Sequence, residues 1–162
     1  MTPYERTHLS RNRTAGAFPF PELRPCIDYA ICEFAGELRD AMLRDERTGD
    51  RRNNDKAHSQ RAELGDAFYM LLSACIQADH KPQLGKAEAM PPRQRCNVIV
   101  RLLAHAADAA DDIEQFGPAE DNLAVLHDAL DGAYTHMIAL CVGWYDWRPS
   151  DVVDEACQKF ER

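Results

Sequence analysis

The stretch Ile27-Asp-Tyr-Ala-Ile31-Cys-Glu-Phe34-Ala-Gly-Glu-Leu38-Arg-Asp-Ala-Met42 decides the fold class. Its large apolar residues recur at every third or fourth position, which places them on one side of an amphipathic α-helix. The composition favours the same interpretation, because alanines outnumber valines, isoleucines and threonines together. The chain is therefore expected to be all-α.

The same helical periodicity returns along the rest of the sequence. It predicts four long helices over about 25–45, 59–79, 92–116 and 120–145. A short fifth helix is expected to begin with Ser150 as its N-cap. Because a turn or a linker separates consecutive long helices, we expect two helical hairpins that form a four-helix bundle, plus the short C-terminal helix.

The domain organisation follows from polar and proline-rich stretches. Residues 1–22 are polar and contain three prolines, which predicts a loose N-terminal arm. The remainder, 23–162, is expected to form a single all-α domain. Within it, the first hairpin covers about 23–80, the linker 81–91, and the second hairpin with the C-terminal helix about 92–162.

Charge and composition exclude several classes of partner. The net charge of −8 and the pI of about 5.2 argue against a surface that binds nucleic acid. No apolar run reaches the roughly 18 residues that a membrane span needs, and no signal-peptide core is present. We therefore expect no membrane association and a cytoplasmic location. The six cysteines contain no C-x-x-C pair and are expected to be buried, reduced thiols.

Carboxylates border the apolar stripe on both helices of the first hairpin. Glu33, Glu37 and Asp40 share one face of the first helix, and Glu63 and Asp66 flank the core on the second. If these helices pack antiparallel, the carboxylates converge in the groove between them. Such a cluster repels itself unless a cation neutralises it, which predicts a site for a hard metal ion. The alternative is that these side chains are ordinary solvated surface.

Two stretches resemble a known family of enzymes. They are Cys32-Glu-Phe-Ala-Gly-Glu-Leu-Arg-Asp-Ala41 and Arg61-Ala-Glu-Leu-Gly-Asp-Ala-Phe-Tyr69. Together they resemble the MazG-like all-α nucleotide pyrophosphohydrolases, relatives of the dimeric dUTPases, whose signature is Glu-Glu-x-x-Glu on one helix and Glu-x-x-Asp on the next. The tail from Leu140 to Lys159 is also similar to that family. The resemblance implies a MazG-type bundle and Mg²⁺-dependent hydrolysis of a nucleoside triphosphate to the monophosphate and pyrophosphate, with Mn²⁺ as an alternative ion.

The resemblance also implies roles for individual residues. Glu33 matches the first Glu of the signature and Glu37 the third, while Phe34 stands where the family has its second Glu. Asp40 or Glu33 is the candidate to replace that missing ligand, and the alternative is a weakened site in the first hairpin. The implied metal ligands are therefore Glu33, Glu37, Asp40, Glu63 and Asp66. Either Glu37 or Glu63 is expected to act as the catalytic base.

Further expectations concern phosphate binding and the second hairpin. The basic residues expected to neutralise the phosphates are Arg44, Arg51, Arg52, Lys56 and Arg61. Spacing similar to that of the first hairpin makes Asp108, Asp112, Asp128 and Asp131 candidates for a duplicated site. Monomer and homodimer both remain open. The alternative function is a non-catalytic helical module, for interaction or regulation, derived from the same fold.

Overall fold

A computed structural model of the chain describes residues 1–15, 22–48 and 59–162. Within these ranges it contains helices and no β-strand, which confirms the all-α expectation. The α-helices are α1 (Pro3–Thr14), α2 (Leu23–Cys32), α3 (Leu38–Thr48), α4 (Gln60–Gln77), α5 (Pro92–Phe116), α6 (Glu120–Ala139) and α7 (Pro149–Phe160). Two π-helical segments interrupt them, the first at Glu33–Glu37 and the second at Leu140–Trp144.

The helix boundaries agree closely with the apolar periodicity. Ser59 caps α4, because its side chain accepts a hydrogen bond from the backbone N–H of Ala62. The prediction for the last helix was wrong in detail, since Arg148 and not Ser150 is the N-cap of α7. The helix starts earlier because Pro149 occupies its first position, where the fixed φ of proline suits a helix and its missing N–H costs nothing.

The prediction of a loose N-terminal arm was wrong for residues 3–14, which form α1. Thr2 and Glu5 make a reciprocal capping box at its start. The helix packs on α4 and α7, and it buries small polar residues, Thr7, Ser10 and Thr14, instead of large apolar ones. An apolar periodicity therefore could not reveal it.

The first π segment joins α2 to α3 without a break in the helical backbone. The backbone N–H of Leu38 donates to the carbonyl of Glu33, five residues back, so this turn is wider than an α-helical turn. Phe34 lies within the segment and is completely buried in the core. The sequence predicted a regular α-helix here and gave no sign of the wider turn. π segments of this kind occur frequently at functional sites.

Helix α4 is the centre of the molecule. It packs against α1, α2, α3, α6 and α7, and most of its residues are buried, among them Phe68 and Tyr69. Helices α5 and α6 pack along one another, and only residues 117–119 connect them. Gly117 makes that turn at φ +89°, a backbone conformation that favours glycine. No helix in the part of the chain described is long and apolar enough to cross a membrane.

Candidate metal centre

Three carboxylates from two helical elements converge at one point. Glu33 begins the first π segment, whereas Glu63 and Asp66 lie three residues apart on one face of α4. One carboxylate oxygen from each residue lies within 4.8 Å of the other two. The packing of α4 against the π segment thus brings together ligand atoms that are about 30 residues apart in sequence. Three oxygen donors at this separation are a fitting ligand set for a hard divalent cation.

Two oxygens of this cluster have no hydrogen-bond partner among the residues that the structure describes. Glu33 Oε2 and Asp66 Oδ1 are both buried, and no donor within the described ranges reaches either of them. Buried polar atoms without partners are rare in native proteins, since each loses its hydration without compensation. Coordination to a cation would satisfy both oxygens. The donor set and the unpartnered atoms therefore fit Mg²⁺ or Mn²⁺.

The cluster is also electrostatically frustrated. Burial, followed by repulsion from the neighbouring carboxylates of Asp66, Glu63 and Glu37, raises the pKa of Glu33 from 4.5 to about 7. Lys159 acts in the opposite direction, because its ammonium group favours the ionised form of Glu33. A carboxyl group with a pKa near neutrality in a cluster of acids is typical of sites that hold a cation or move a proton.

Lys159 is the internal counter-ion of this cluster. Its Nζ donates to Asp66 Oδ2 at 2.6 Å, although 93 residues separate the two in sequence. Helix α7 approaches α4 this closely because residue 65 is glycine, where a Cβ atom would lie 3.1 Å from the carbonyl oxygen of Val152. Sequence reasoning did not select Lys159 as a site residue, because no local pattern indicates which carboxylate it meets.

A cavity of about 600 Å³ opens beside the cluster, between α4 and α7. Asp66 lies on its wall together with three basic residues, Arg61, Lys159 and Arg162. The Arg61 guanidinium is engaged by Glu155, which accepts two hydrogen bonds of 2.7 and 2.8 Å. The cavity therefore combines the edge of a carboxylate cluster with positive charge. This combination suits a phosphate group bound through a metal ion.

The other residues predicted for the first hairpin are not part of the group of three. Glu37, Asp40 and Arg44 are exposed. The carboxylate of Glu37 is nevertheless close enough to raise the pKa of Glu33. Phe34 is buried among apolar residues and has no ligand atom to offer. Three of the predicted phosphate ligands, Arg51, Arg52 and Lys56, lie outside the described residues.

The candidates of the second hairpin do not converge in the same way. Asp108, Asp112 and Asp128 are exposed. Asp131 accepts hydrogen bonds from His80 Nε2 at 2.7 Å and from the backbone N–H of Gln83 at 2.8 Å. Its carboxylate thereby attaches the segment after α4 to α6. In ranges 1–15, 22–48 and 59–162, Glu33, Glu63 and Asp66 form the one group of three such ligands within 4.8 Å.

The cysteines show no sign of metal binding or disulfide formation. All six are free, and five of them are buried, Cys32 being the exposed one. Burial raises the pKa of all five buried thiols, Cys26, Cys75, Cys96, Cys141 and Cys157. These side chains therefore serve as small apolar residues of the core.

Comparisons of the chain with protein-family models, with curated proteins and with solved structures found no match.

Proposed function

We propose that this protein is a divalent-cation-dependent hydrolase that converts a nucleoside triphosphate into the monophosphate and pyrophosphate. One observation carries the proposal: Glu33, Glu63 and Asp66 converge, and two of their buried oxygens have no hydrogen-bond partner in the described part of the chain. The basic wall of the adjacent cavity supports a substrate with several phosphates. The type of reaction is proposed from the resemblance to the MazG-like enzymes. The arrangement of the helices as a MazG-type bundle is part of the same proposal.

Glu33, Glu63 and Asp66 would hold Mg²⁺, with Mn²⁺ as the alternative ion. Mg²⁺ is usually bound by few carboxylates, and water and substrate phosphates complete its coordination. When bound, the ion supplies charge neutralisation at the phosphates and a lowered pKa for coordinated water. Because Phe34 contributes no oxygen, Glu37 or Asp40, both exposed on the same helical run, would add a further ligand.

The chain's own residues contribute positioning, charge and proton transfer. Lys159 and Arg162 on the cavity wall would neutralise the phosphates farther from the carboxylates. Glu37 is exposed and adjacent to the group of three, so its carboxylate is available to accept the proton of the attacking water. The reaction then adds water across the bond between the α- and β-phosphates, and pyrophosphate leaves.

A second function, a non-catalytic helical module, is favoured by the ion pair of Lys159 with Asp66. The ammonium group already neutralises part of the cluster, 2.6 Å from one of its oxygens. Phe34 removes the oxygen donor that the enzyme family has at that position. In this alternative, the carboxylates and Lys159 would form a structural network that needs no metal ion.

The experiment is an assay of pyrophosphate release from a panel of canonical and modified nucleoside triphosphates with Mg²⁺ or Mn²⁺. We expect release by the wild-type protein, loss of release in Glu63→Gln, and unchanged release in Glu114→Gln. Glu114 is a matched control because it is an exposed glutamate on α5, outside the cavity and the cluster. No release from any nucleotide, with the protein folded and metal present, would favour the non-catalytic module.

A further inference from the structure

A second cavity of about 600 Å³ lies away from the candidate metal centre. The segment 81–91, the first turn of α5 and the end of α6 with the second π segment enclose it. Its wall is largely apolar and includes Leu84, Met90, Ile138, Leu140, Val142 and Trp144. None of the residues of the carboxylate cluster contributes to this wall. The volume is in the range of pockets that bind small molecules.

The opening of this cavity concentrates exposed apolar surface. Leu84, Val142 and Trp144 line the cavity and are also exposed to solvent, Trp144 by 39%. Soluble proteins seldom leave large apolar side chains grouped together in water unless the group contacts a ligand or partner. The second π segment supplies Val142 and Trp144, and such segments occur frequently at functional sites.

One cation on the cavity wall, Arg95, is buried and has no counter-ion among the described residues. Arg95 is only 6% exposed, and its guanidinium donates to the carbonyl oxygen of Glu88 at 2.7 Å and meets His136 Nδ1 at 3.0 Å. Both partners are uncharged acceptors, and no carboxylate in the described ranges forms an ion pair with Arg95. The carboxylate of Glu88 itself is on an exposed residue. A buried arginine almost always has an anionic partner, because its desolvation is otherwise uncompensated.

Burial lowers the pKa of both Arg95 and His136. Desolvation lowers the pKa of Arg95. Desolvation and the positive charge of Arg95 lower the pKa of His136, and they outweigh the opposite effect of the Glu88 carboxylate. His136 is therefore a neutral acceptor and supplies no second charge. An anion entering the cavity would compensate the charge of Arg95, and the apolar walls would strengthen that attraction by excluding water.

We propose that this cavity binds a small organic acid with an apolar body, whose carboxylate pairs with Arg95. The planar guanidinium suits a carboxylate, and it has donors beyond the two that are engaged by Glu88 and His136. The apolar body packs against the side chains of α6 and the second π segment. Charge complementarity at one point and apolar contact elsewhere define the ligand class.

Calorimetric titration of the full chain with octanoate, 1-octanol and acetate tests this proposal. We expect octanoate to bind one site per chain about tenfold or more tightly than 1-octanol, because the alcohol lacks the charge-assisted hydrogen bond. Acetate, which lacks the apolar body, is expected not to bind measurably. Equal binding of octanoate and 1-octanol, or no binding of octanoate, overturns the proposal. This comparison uses only the wild-type protein.

Three variants locate the site. Arg95→Met should remove the preference for octanoate over 1-octanol, whereas Arg101→Met should keep it. Arg101 is a matched control because it is exposed on the same helix and, within the described residues, donates only to the carbonyl of Asn97. Gly143→Leu should abolish octanoate binding by filling the cavity, and a Cβ atom at this position meets no atom within 4 Å. Octanoate binding that is unchanged in Gly143→Leu places the ligand elsewhere and contradicts the proposal.

Discussion

Lys159 Nζ lies 2.6 Å from Asp66 Oδ2, so an ammonium group of α7 is the counter-ion of a carboxylate on α4. The other oxygen of Asp66 is buried and has no hydrogen-bond partner within the described ranges. One oxygen of Asp66 thus pairs with Lys159, and the other is available to a further ligand. The same side chain is one of the three that can hold a metal ion.

Replacing Lys159 by methionine should strengthen the binding of a divalent cation. The ammonium group competes with the metal for the negative charge of the cluster, and its removal leaves that charge fully available. Because Lys159 is largely exposed, we expect a gain of only about two- to tenfold in Mn²⁺ affinity, measured by calorimetry. Lys81→Met, which removes an exposed lysine that follows the C-terminal end of α4 and pairs with Glu5, should leave the affinity unchanged. Weaker binding in Lys159→Met would contradict this account.

The pKa of Glu33 makes stability depend on pH in a definite direction. The pKa is about 7 in the folded protein and near the ordinary value of 4.5 in the unfolded chain. The folded state therefore holds the proton more tightly, and the free energy of unfolding without metal falls as the pH rises from about 4.5 to about 7. Urea unfolding of the wild type and of Glu33→Gln at pH 5 and pH 8 checks this. The free energy of unfolding of Glu33→Gln, measured relative to that of the wild type, should be higher at pH 8 than at pH 5.

The close contact between α4 and α7 depends on Gly65. In Gly65→Ala the new Cβ would lie 3.1 Å from the carbonyl oxygen of Val152 and 3.2 Å from the Cβ of Ala156, so the helices must separate. We expect a loss of about 1–3 kcal/mol in the free energy of unfolding. Gly36→Ala is the control, since a Cβ there meets nothing within 4 Å. Chemical denaturation that shows no difference between the two variants would contradict the close approach.

Asp131 has a structural role that Asp128 does not have, because it holds the segment after α4 against α6. Asp131 accepts two hydrogen bonds from the segment that follows α4, whereas Asp128 is exposed. Asp131→Ala should therefore lower the free energy of unfolding by about 1–3 kcal/mol, because it leaves His80 and Gln83 without their acceptor. Asp128→Ala should change it by less than about 0.5 kcal/mol. Thermal unfolding of both variants measures the difference.

The helices were predictable wherever apolar periodicity records their burial. Helix α4 combines that periodicity with a serine N-cap, so both its face and its start were evident in the sequence. Helix α1 was not predicted, because its buried residues are Thr7, Ser10 and Thr14 and not large apolar ones. The capping box of Thr2 and Glu5, with Pro3 between them, was the available signal. The π segments were not predictable, since a wider turn uses the same apolar spacing with a different hydrogen-bond register.

The candidate site was predictable only where its residues share a helix face. Spacing indicated that Glu63 and Asp66 lie together on α4. The resemblance to the two-helix signature added Glu33 as a candidate ligand. Lys159 depends on the packing of α7 against α4, which no local pattern records. Arg95 was missed for a different reason: an arginine in the first turn of a helix is ordinarily exposed, and only the tertiary structure shows its burial.

The binding of Mn²⁺ to the wild-type protein and to Glu33→Gln, Asp66→Asn and Glu114→Gln tests the central claim most directly. We expect one saturable ion per chain in the wild type and in Glu114→Gln. Both substitutions in the cluster should weaken binding about tenfold or more, since each removes a charged oxygen ligand. Mn²⁺ affinity that is unchanged in Glu33→Gln and Asp66→Asn, or the absence of saturable binding to the folded wild type, would contradict the assignment of a metal centre.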